Sequence, residues 1–443
     1  MKRSAWRYLW KSEDIRNKLL ITFLLMVIYR FAANVPVPGV NRAVVESLAN
    51  SGGAAGTLFN MLDLLSGGTV SNFSVLAMGV YPYITAQIIL QLLAPIIPAL
   101  NNRMKENPRE GQKFMQKWTM LLTIPMAALT AVGQINIFNS MLRGQSILYY
   151  DPGFNLPTIT TVVSMMAGTL FGIWIGELIS EFGIPNQGLS LIIFAGIVSQ
   201  IPSNLFNVFL DRQNGWWLFI LIVTILVLTI FAIVVVQQGR RYVPVLFPGR
   251  RVGNRMSMPV RSNLPLMVNM AGMIPLIFAQ SFLTFPAILA TFFLNSPVPW
   301  IANFANTIYN AFSGQGPYYA LFYFILVVAF TFFYTDVLFQ QQNYGESLKR
   351  QGARIPGVTV GEATQKYLSK VQRRITFPGA FFLGFVAVLP YLLRLFLPVS
   401  GSSSMFFLVS AAGLLIVVGV VRDTFNIIEA ELKMHGYQEK LIH

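Results

Sequence analysis

The sequence GVYPYITAQIIL, residues 79–90, returns in altered form as GMIPLIFAQSFL, residues 272–283. Six of the twelve positions are identical without a gap, at a constant offset of 193 residues. Shared apolar residues are common in any apolar sequence, but glycine, proline and glutamine at fixed spacing are harder to match by chance. The pair therefore predicts an internal repeat.

The composition around this repeat is that of a membrane protein. Of 443 residues, 54% are hydrophobic and only 11% are charged, whereas about 25% are charged in an average soluble protein. Stretches of about 20 apolar residues are long enough to cross a bilayer as helices. Ten such stretches lie near residues 19–35, 73–98, 117–138, 157–178, 188–207, 216–236, 268–292, 318–339, 376–397 and 405–421. We therefore expect an all-α polytopic membrane protein with ten transmembrane helices.

The repeat divides these ten stretches into two halves. Its copies fall in the second and seventh stretches, which predicts two units of five helices, residues 1–211 and 212–443. Because five is odd, the units would be inverted across the membrane, as in transporter folds whose functional path lies between the halves. Pro82 and Pro275 are expected inside their helices, where each would remove a backbone hydrogen bond and allow a bend.

Lysine and arginine are unevenly distributed between the connecting segments. With the N-terminus in the cytoplasm, 27 of the 32 basic residues fall on the cytoplasmic side, four fall outside and Arg30 lies in the first helix. This asymmetry predicts that both termini are cytoplasmic. The net charge of +15 is then mostly a topological signal. No small-residue cleavage site follows the first apolar stretch, so we expect that helix to be retained.

Groups for chemistry are nearly absent from the apolar stretches. The chain has no cysteine, and its two histidines, His435 and His443, lie in the C-terminal tail. Neither a nucleophile with its base nor a metal site is expected, which disfavours an intramembrane enzyme, and no cofactor is implied. The polar residues expected at mid-membrane are neutral: Gln87, Gln91, Asn269, Gln280 and Thr284.

Two functions remain open on these grounds. A conduit lined by apolar and neutral groups could block ions by dewetting and bind nothing tightly, which suits a substrate of varied chemistry. A secondary transporter of small solutes could use the same inverted repeat, but coupled transport usually needs ionisable groups within the membrane. The shortage of such groups favours the conduit, and proton or sodium flux driven by a small solute would favour the transporter.

Several longer motifs resemble the SecY family, the protein-conducting channel of the bacterial plasma membrane. They occur in the family's order and cover nearly the whole chain: VPVPG at 35–39, DLLSGG at 63–68, AMGVYPYI at 77–84, LSLIIFAGIV at 189–198 and LPLMVNMAGMIP at 264–275. The resemblance implies a passive pore that passes unfolded polypeptides and releases apolar segments sideways into lipid. It also implies a multi-pass protein of the bacterial plasma membrane.

The resemblance assigns three sets of site residues. A ring of aliphatic side chains at the waist of the pore would comprise Val80, Ile84, Leu189, Ile193, Ile277 and Ile416. A lateral gate between the second and seventh helices would include Gln87, Gln91, Asn269 and Phe285. A short plug helix, at about residues 58–68, would seal the outer funnel with Leu62, Asp63, Leu64, Leu65, Ser66, Gly67 and Gly68.

The resemblance also implies partners. The cytoplasmic loops 238–265 and 340–374 resemble docking surfaces for the motor ATPase SecA and the ribosome, and small SecE-like and SecG-like membrane subunits would complete the channel. Signal sequences, nascent polypeptides and membrane lipid would contact it in turn. The docking residues would be Arg240, Arg241, Arg250, Arg251, Arg255, Lys349 and Arg350. Thr359 and Met267 stand where the family usually has basic residues, so no motor contact is expected at Thr359.

Overall fold

The structure is a computed structural model of the whole chain. The residues that it describes are 12–41, 73–94, 97, 108–141, 147–149, 155–209, 215–248, 251–252, 255–256, 260–291, 293–294, 298–312, 318–396 and 402–434.

Helices make up most of the described chain. Their bounds are α1 Glu13–Ala32, α2 Tyr81–Leu93, α3 Pro108–Met141, α4 Leu156–Phe182, α5 Gly188–Phe209, α6 Gly215–Gln238, α7 Ile274–Thr291, α8 Pro299–Phe312, α9 Tyr319–Gln342, α10 Tyr344–Arg350, α11 Glu362–Phe396 and α12 Ser402–Met434. Each of the ten apolar stretches overlaps one of these helices, and α8 and α10 are additional. Within the described residues, four segments are long and apolar enough to span a bilayer: Lys113–Asn136, Leu156–Phe182, Tyr319–Arg350 and Glu362–Leu392. The total of ten spans stays a prediction.

The two helices of the repeat begin later than the hydropathy indicates. Helix α2 starts at Tyr81 rather than near residue 73, and α7 starts at Ile274 rather than near residue 268. Two residues before each start, Gly79 and Gly272 have positive φ angles of +52° and +64°, a conformation that glycine adopts easily and that interrupts a helix. The two glycines are 193 residues apart, and so are the first residues of α2 and α7. The two copies therefore share a backbone conformation as well as a sequence.

The prolines of the repeat have a different role from the expected one. Pro82 and Pro275 are the second residues of α2 and α7, where a backbone N–H would have no partner within the helix anyway. The expectation that they bend the middle of a helix is therefore wrong, because the glycine conformation moves the start of each helix to just before the proline. The prolines inside described helices are Pro125, Pro202, Pro286, Pro378 and Pro390.

A β-hairpin between α6 and α7 is the main feature that the hydropathy did not predict. Strand β1, Arg240–Phe247, pairs antiparallel with β4, Val260–Met267, from Arg240 opposite Met267 to Phe247 opposite Val260. A short pair toward the tip joins β2, Arg251–Val252, to β3, Arg255–Met256. The polypeptide therefore reaches α7 through a stiff ribbon rather than an irregular loop.

The hairpin belongs to a small folded unit, which we call the platform: β1, β4, α10, residues 351–361 and the first turns of α11. Its own apolar core is separate from the main core between the long helices. Two backbone hydrogen bonds fasten the hairpin to the segment after α10, because Leu246 and Arg354 exchange N–H to carbonyl bonds of 2.8 and 2.9 Å. The platform core consists of Val243, Val245, Leu266, Phe339, Leu348, Ala353, Ile355, Leu368 and Ile375.

Helices α4 and α5 approach each other through two glycines. A Cβ atom added to Gly188 would lie 1.7 Å from the carbonyl oxygen of Gly176. The hydroxyl of Ser180 accepts a hydrogen bond from the N–H of Gly188 at 3.1 Å and donates one to the carbonyl of Gly176 at 3.0 Å. This contact seats the first turn of α5, and with it Leu189, directly against α4.

Gly188→Ala should therefore destabilise the protein by about 3 kcal/mol, because the backbones of α4 and α5 must separate to admit the methyl group. The matched control is Gly419→Ala on α12, where the added Cβ would meet its nearest atoms at 3.8 Å and alanine favours the helix. Thermal unfolding of the purified variants in detergent measures both effects. Equal melting temperatures for Gly188→Ala and the unaltered chain would contradict this packing.

Candidate functional site

The six aliphatic residues of the expected ring come from four separate parts of the fold. Val80 immediately precedes α2, which carries Ile84; Leu189 and Ile193 lie one turn apart on α5; Ile277 lies on α7 and Ile416 on α12. All six belong to the main apolar cluster, which runs through most of the long helices; Leu189 is half-buried there and the others are at most 9% exposed. The expected ring residues are therefore part of the packed interior of the protein.

Helices α1 to α5 contact the later helices, α6 to α12, on two sides of this cluster, and the contact is more extensive on one side than on the other. On one side, which we call the seam, α2 and α3 touch α7, and the contact between α2 and α7 is small. On the other side α5 packs along α12 and also against α6. The protein is therefore held more extensively on one side of its apolar centre than on the other.

A further contact strengthens the side away from the seam. The ammonium of Lys18 on α1 forms an ion pair and hydrogen bond with the carboxylate of Glu431 on α12. Beside this pair, Ile15 packs against Ile428 and Leu432 in a small apolar cluster. We call these five residues the clasp. It joins the beginning of the described chain to its end.

The expected gate residues lie near the seam but not all on helices. Gln87 and Gln91 are one turn apart on α2, and the half-buried Phe285 lies on α7. Asn269 precedes α7, and its side-chain amide donates a hydrogen bond of 3.1 Å to the carbonyl of Gly272. Asn269 therefore stabilises its own turn before α7 and does not lie on the helix itself, where the apolar stretch 268–292 placed it.

Two polar pairs near the seam were not found from the sequence. The hydroxyl of Tyr81 on α2 lies beside that of Ser281 on α7, although neither oxygen makes a hydrogen bond of ordinary geometry. The side chain of Gln91 on α2 lies near the hydroxyl of Tyr334 on α9, while the side-chain oxygen of Gln91, Oε1, is buried without a partner. Polar groups that are incompletely paired in a buried contact lose little hydrogen-bond energy when the contact opens.

Other buried polar groups on α2 and α7 are satisfied within their own helices. The hydroxyl of Thr85 donates to the carbonyl of Pro82 at 2.9 Å, and that of Thr284 donates to the carbonyl of Gln280 at 2.8 Å. These bonds do not cross the seam. The described hydrogen bonds therefore leave α2 and α7 free to separate without breaking a polar network.

Basic side chains are exposed on the platform. Arg240 and Arg241 on β1, and Lys349 and Arg350 on α10, all point to solvent. Arg350 also donates a hydrogen bond of 2.8 Å to Glu346 one turn earlier, and this contact lowers the pKa of the Glu346 carboxyl below its usual range. Three of the four cations therefore carry no ion pair among the salt bridges of the described residues.

The remaining expected site residues lie on the short strands, on the platform or outside the described residues. Arg251 and Arg255 lie on the short strands β2 and β3, while Arg250 is outside the described residues. Thr359 is exposed, and its carbonyl accepts a hydrogen bond of 2.8 Å from the hydroxyl of Thr364. The expected plug, residues 58–68, also lies outside the described part of the chain.

These features define a class of protein before any relative is considered. The chain is a multi-pass helical membrane protein with an apolar core, a lightly joined seam and a basic platform at one end. No group of three or more potential metal ligands occurs among the described residues.

Comparison with known proteins gives the family. The family model described as SecY matches residues 74–425. The chain is 35% identical over 441 residues to protein translocase subunit SecY of Thermotoga maritima, which covers 98% of this chain and 96% of that relative. The chain belongs to the SecY family.

Solved structures show the same fold. One described as "The structure of a protein conducting channel" has a TM-score of 0.65 at 17% identity and covers 99% of this chain and 100% of its own. Another, of Sec61 in the canine ribosome-channel complex from the endoplasmic reticulum, has a TM-score of 0.62 at 16% identity with the same coverage. The alternative of a small-solute transporter is not favoured by these matches.

Proposed function

We infer that this chain is the channel-forming subunit of a protein translocase in the bacterial plasma membrane. One observation carries the inference: the chain matches a translocase subunit over nearly its full length, and aliphatic residues from four distant parts of its fold belong to the main apolar core. The channel itself is passive, and a motor or a ribosome supplies the driving force.

The aliphatic centre acts as the constriction of the pore. Val80, Ile84, Leu189, Ile193, Ile277 and Ile416 offer no charge or hydrogen bond, so a passing polypeptide finds nothing to which it can bind tightly. An apolar constriction also blocks ions when the path is narrow, because water leaves it and a hydrated ion cannot follow. The same side chains can thus close the channel at rest and line it during transport.

The seam acts as the lateral gate. Gln87, Gln91, Asn269 and Phe285 lie at or beside it, together with the pairs of Tyr81 with Ser281 and of Gln91 with Tyr334. An apolar signal sequence can take the place of the small contact between α2 and α7. Its partition into lipid drives the exchange, since each Leu, Ile or Phe contributes about 0.3 to 0.6 kcal/mol at mid-membrane.

We propose that residues 58–68, including Leu62, Asp63, Leu64, Leu65, Ser66, Gly67 and Gly68, are the plug. Gly67 and Gly68 would give it a flexible joint. Deletion of residues 61–66 should leave protein translocation largely intact and raise the ion conductance of the resting channel in planar bilayers. A deleted channel that stays as tight as the unaltered one would contradict this role.

The platform docks the driving partner, either a SecA-like motor ATPase or the ribosome, and lies on the cytoplasmic side together with both termini. Guanidinium and ammonium groups suit acidic protein surfaces and RNA phosphates. Small SecE-like and SecG-like subunits complete the translocon. The docking residues are Arg240, Arg241, Arg250, Arg251, Arg255, Lys349 and Arg350.

Reversing two charges of the platform should weaken ribosome binding. We expect Arg240→Glu with Arg241→Glu to lower the affinity about tenfold at moderate salt, because two phosphate contacts become repulsive. Lys113→Glu, an exposed reversal on α3, is the matched control and should have little effect. Sedimentation of ribosomes with proteoliposomes measures the affinity, and equal losses in both variants would indicate nonspecific charge attraction.

Reconstitution tests the function as a whole. Proteoliposomes with this chain, the small subunits and the motor should move a precursor bearing a signal sequence to a protease-protected lumen when ATP is present. Without this chain, protection should be absent. Failure to protect the precursor, together with solute-driven proton or sodium flux in vesicles holding this chain alone, would support the transporter instead.

A further inference from the structure

Helix α8 joins α7 to α9 on the face of the protein opposite the platform. Helix α7 begins beside the hairpin and ends at Thr291, and α9 begins at Tyr319 and ends beside the platform. The connection between them must therefore lie at the far boundary of the membrane. Helix α8 is Pro299–Phe312 and packs against α7.

The side chains of α8 form three separate stripes. Each residue of an α-helix advances about 100° around the axis. One stripe faces the protein and contains the buried Ala305 with the half-buried Ile301, Ile308 and Phe312.

The other two stripes are both exposed but differ in polarity. One consists of Trp300, Phe304, Thr307 and Ala311, and the other of Asn303, Asn306 and Asn310. Trp300 and Phe304 are 71% and 62% exposed. The hydroxyl of Thr307 donates to the carbonyl of Asn303 at 2.9 Å, so this residue can face an apolar medium without an unpaired donor.

The charge pattern around α8 is unusual for a segment outside the membrane. No Asp, Glu, Lys or Arg occurs between Arg261 and Asp336, a stretch that includes α7, α8 and the first 17 residues of α9. A loop that extends into water normally carries charges, and a helix held at an anionic surface normally carries Lys or Arg. Neither applies here.

Helix α8 is fixed beside an exposed apolar surface of α9. At the end of α8, the ring of Phe312, on the protein-facing stripe, stacks on that of Phe322 in the first turn of α9, with centroids 6.5 Å apart. Phe322 is itself exposed, as are Leu321 and Ile325 beside it. Helix α8 therefore meets the outer end of a helix that is long and apolar enough to span a bilayer and has exposed apolar side chains there.

We propose that α8 lies flat in the membrane interface, with the Trp300 and Phe304 stripe among the glycerol and upper acyl groups of uncharged lipid and the asparagine stripe in water. Tryptophan is enriched at this depth because it joins an apolar ring to a polar N–H. The contact holds the outer end of α7 at a fixed depth. It needs no anionic headgroup, and it does not depend on what the channel transports.

Site-directed spin labelling tests this arrangement directly, because the chain has no cysteine. Phe304→Cys and Asn306→Cys would each carry a nitroxide in the full chain, reconstituted in phosphatidylcholine vesicles. Collision with oxygen reports lipid contact, and collision with a water-soluble nickel chelate reports water. We expect the ratio of oxygen to nickel accessibility to be about fivefold higher at 304 than at 306.

Changes in salt and lipid composition distinguish uncharged lipid from water, a protein partner and charged headgroups as the environment of the Trp300 and Phe304 stripe. The ratio at 304 should stay the same in about 0.5 M salt, which screens surface charges strongly, and when anionic lipid is added. High nickel accessibility at both positions would overturn the proposal in favour of a water-exposed helix. Protection of 304 from both reagents would instead indicate a protein partner, and loss of lipid contact in salt would indicate headgroup binding. Trp300→Cys and Asn303→Cys repeat the comparison one turn earlier if either first variant fails to fold.

Discussion

A covalent link across the seam should stop translocation. The hydroxyls of Tyr81 and Ser281 lie side by side on α2 and α7, so Tyr81→Cys with Ser281→Cys can be joined by a short, cleavable bis-maleimide in this cysteine-free chain. If the seam must open to admit a signal sequence, the linked protein should translocate at less than about one tenth of the untreated rate. Cleavage of the linker should restore activity.

The matched control is a link within one half of the molecule. Asp336 on α9 and Arg373 on α11 form an exposed ion pair at 2.8 Å, and replacing both with cysteine removes little stability because exposed pairs contribute at most about 1 kcal/mol. Their link should leave translocation unchanged. Full activity of the protein linked at 81 and 281 would show that the seam does not need to open.

Polar substitution at the aliphatic centre should make the closed channel conduct ions. Ile84 and Ile277 occupy the same position of the repeat and are both buried in the central cluster. Ile84→Ser with Ile277→Ser would allow water to stay in the constriction, and we expect the resting conductance in planar bilayers to rise about tenfold.

The control for this leak is a serine substitution at a position that faces outward. Leu228 on α6 is 66% exposed, and Leu228→Ser should leave the conductance at its resting value. An unchanged conductance in the double variant would indicate that these two residues are ordinary packing between helices. A similar leak in both variants would indicate general loosening of the fold.

The sequence predicted the long helices well because each is marked by an apolar run. It placed the starts of α2 and α7 too early because hydropathy does not detect the positive φ of Gly79 and Gly272. The same error put Asn269 on a helix, whereas it stabilises a turn before one. The repeat itself marked these two positions, since Gly79 and Gly272 are among the residues that are identical in both copies.

The hairpin was not predicted for a different reason. Pro244 and Pro265 interrupt its strands, and proline usually argues against a strand. In a ribbon of only two strands, however, each strand has a free edge where a missing N–H does no harm. Pro244 stands opposite Asn263, and Pro265 opposite Tyr242, without breaking the register.

The seam pairs could not have been predicted from local pattern. Tyr81 and Ser281 are separated by 200 positions, and Gln91 meets Tyr334 only because α2, α7 and α9 converge. The stripes of α8, by contrast, are visible in the sequence. They escaped notice because a helix of 14 residues is too short to register as a span.

The two sides of the molecule suggest how it would move. The clasp and the packing of α5 on α12 resist separation on one side, while the seam has a small contact and incomplete hydrogen bonds. Strand β4 of the platform leads directly to the start of α7, with Gly272 between them, so we expect a push on the platform to reach α7. We therefore expect opening at the seam with the clasp as the fixed side.

A transported polypeptide should pass through the aliphatic centre and touch its side chains. Single cysteines at Ile84 and Ile277, with Leu228→Cys as the outward control, can be tested for crosslinks to a translocating chain arrested partway and carrying a thiol-reactive probe. We expect strong crosslinks from 84 and 277 and none from 228. Crosslinks from 228 without any from 84 or 277 would contradict it.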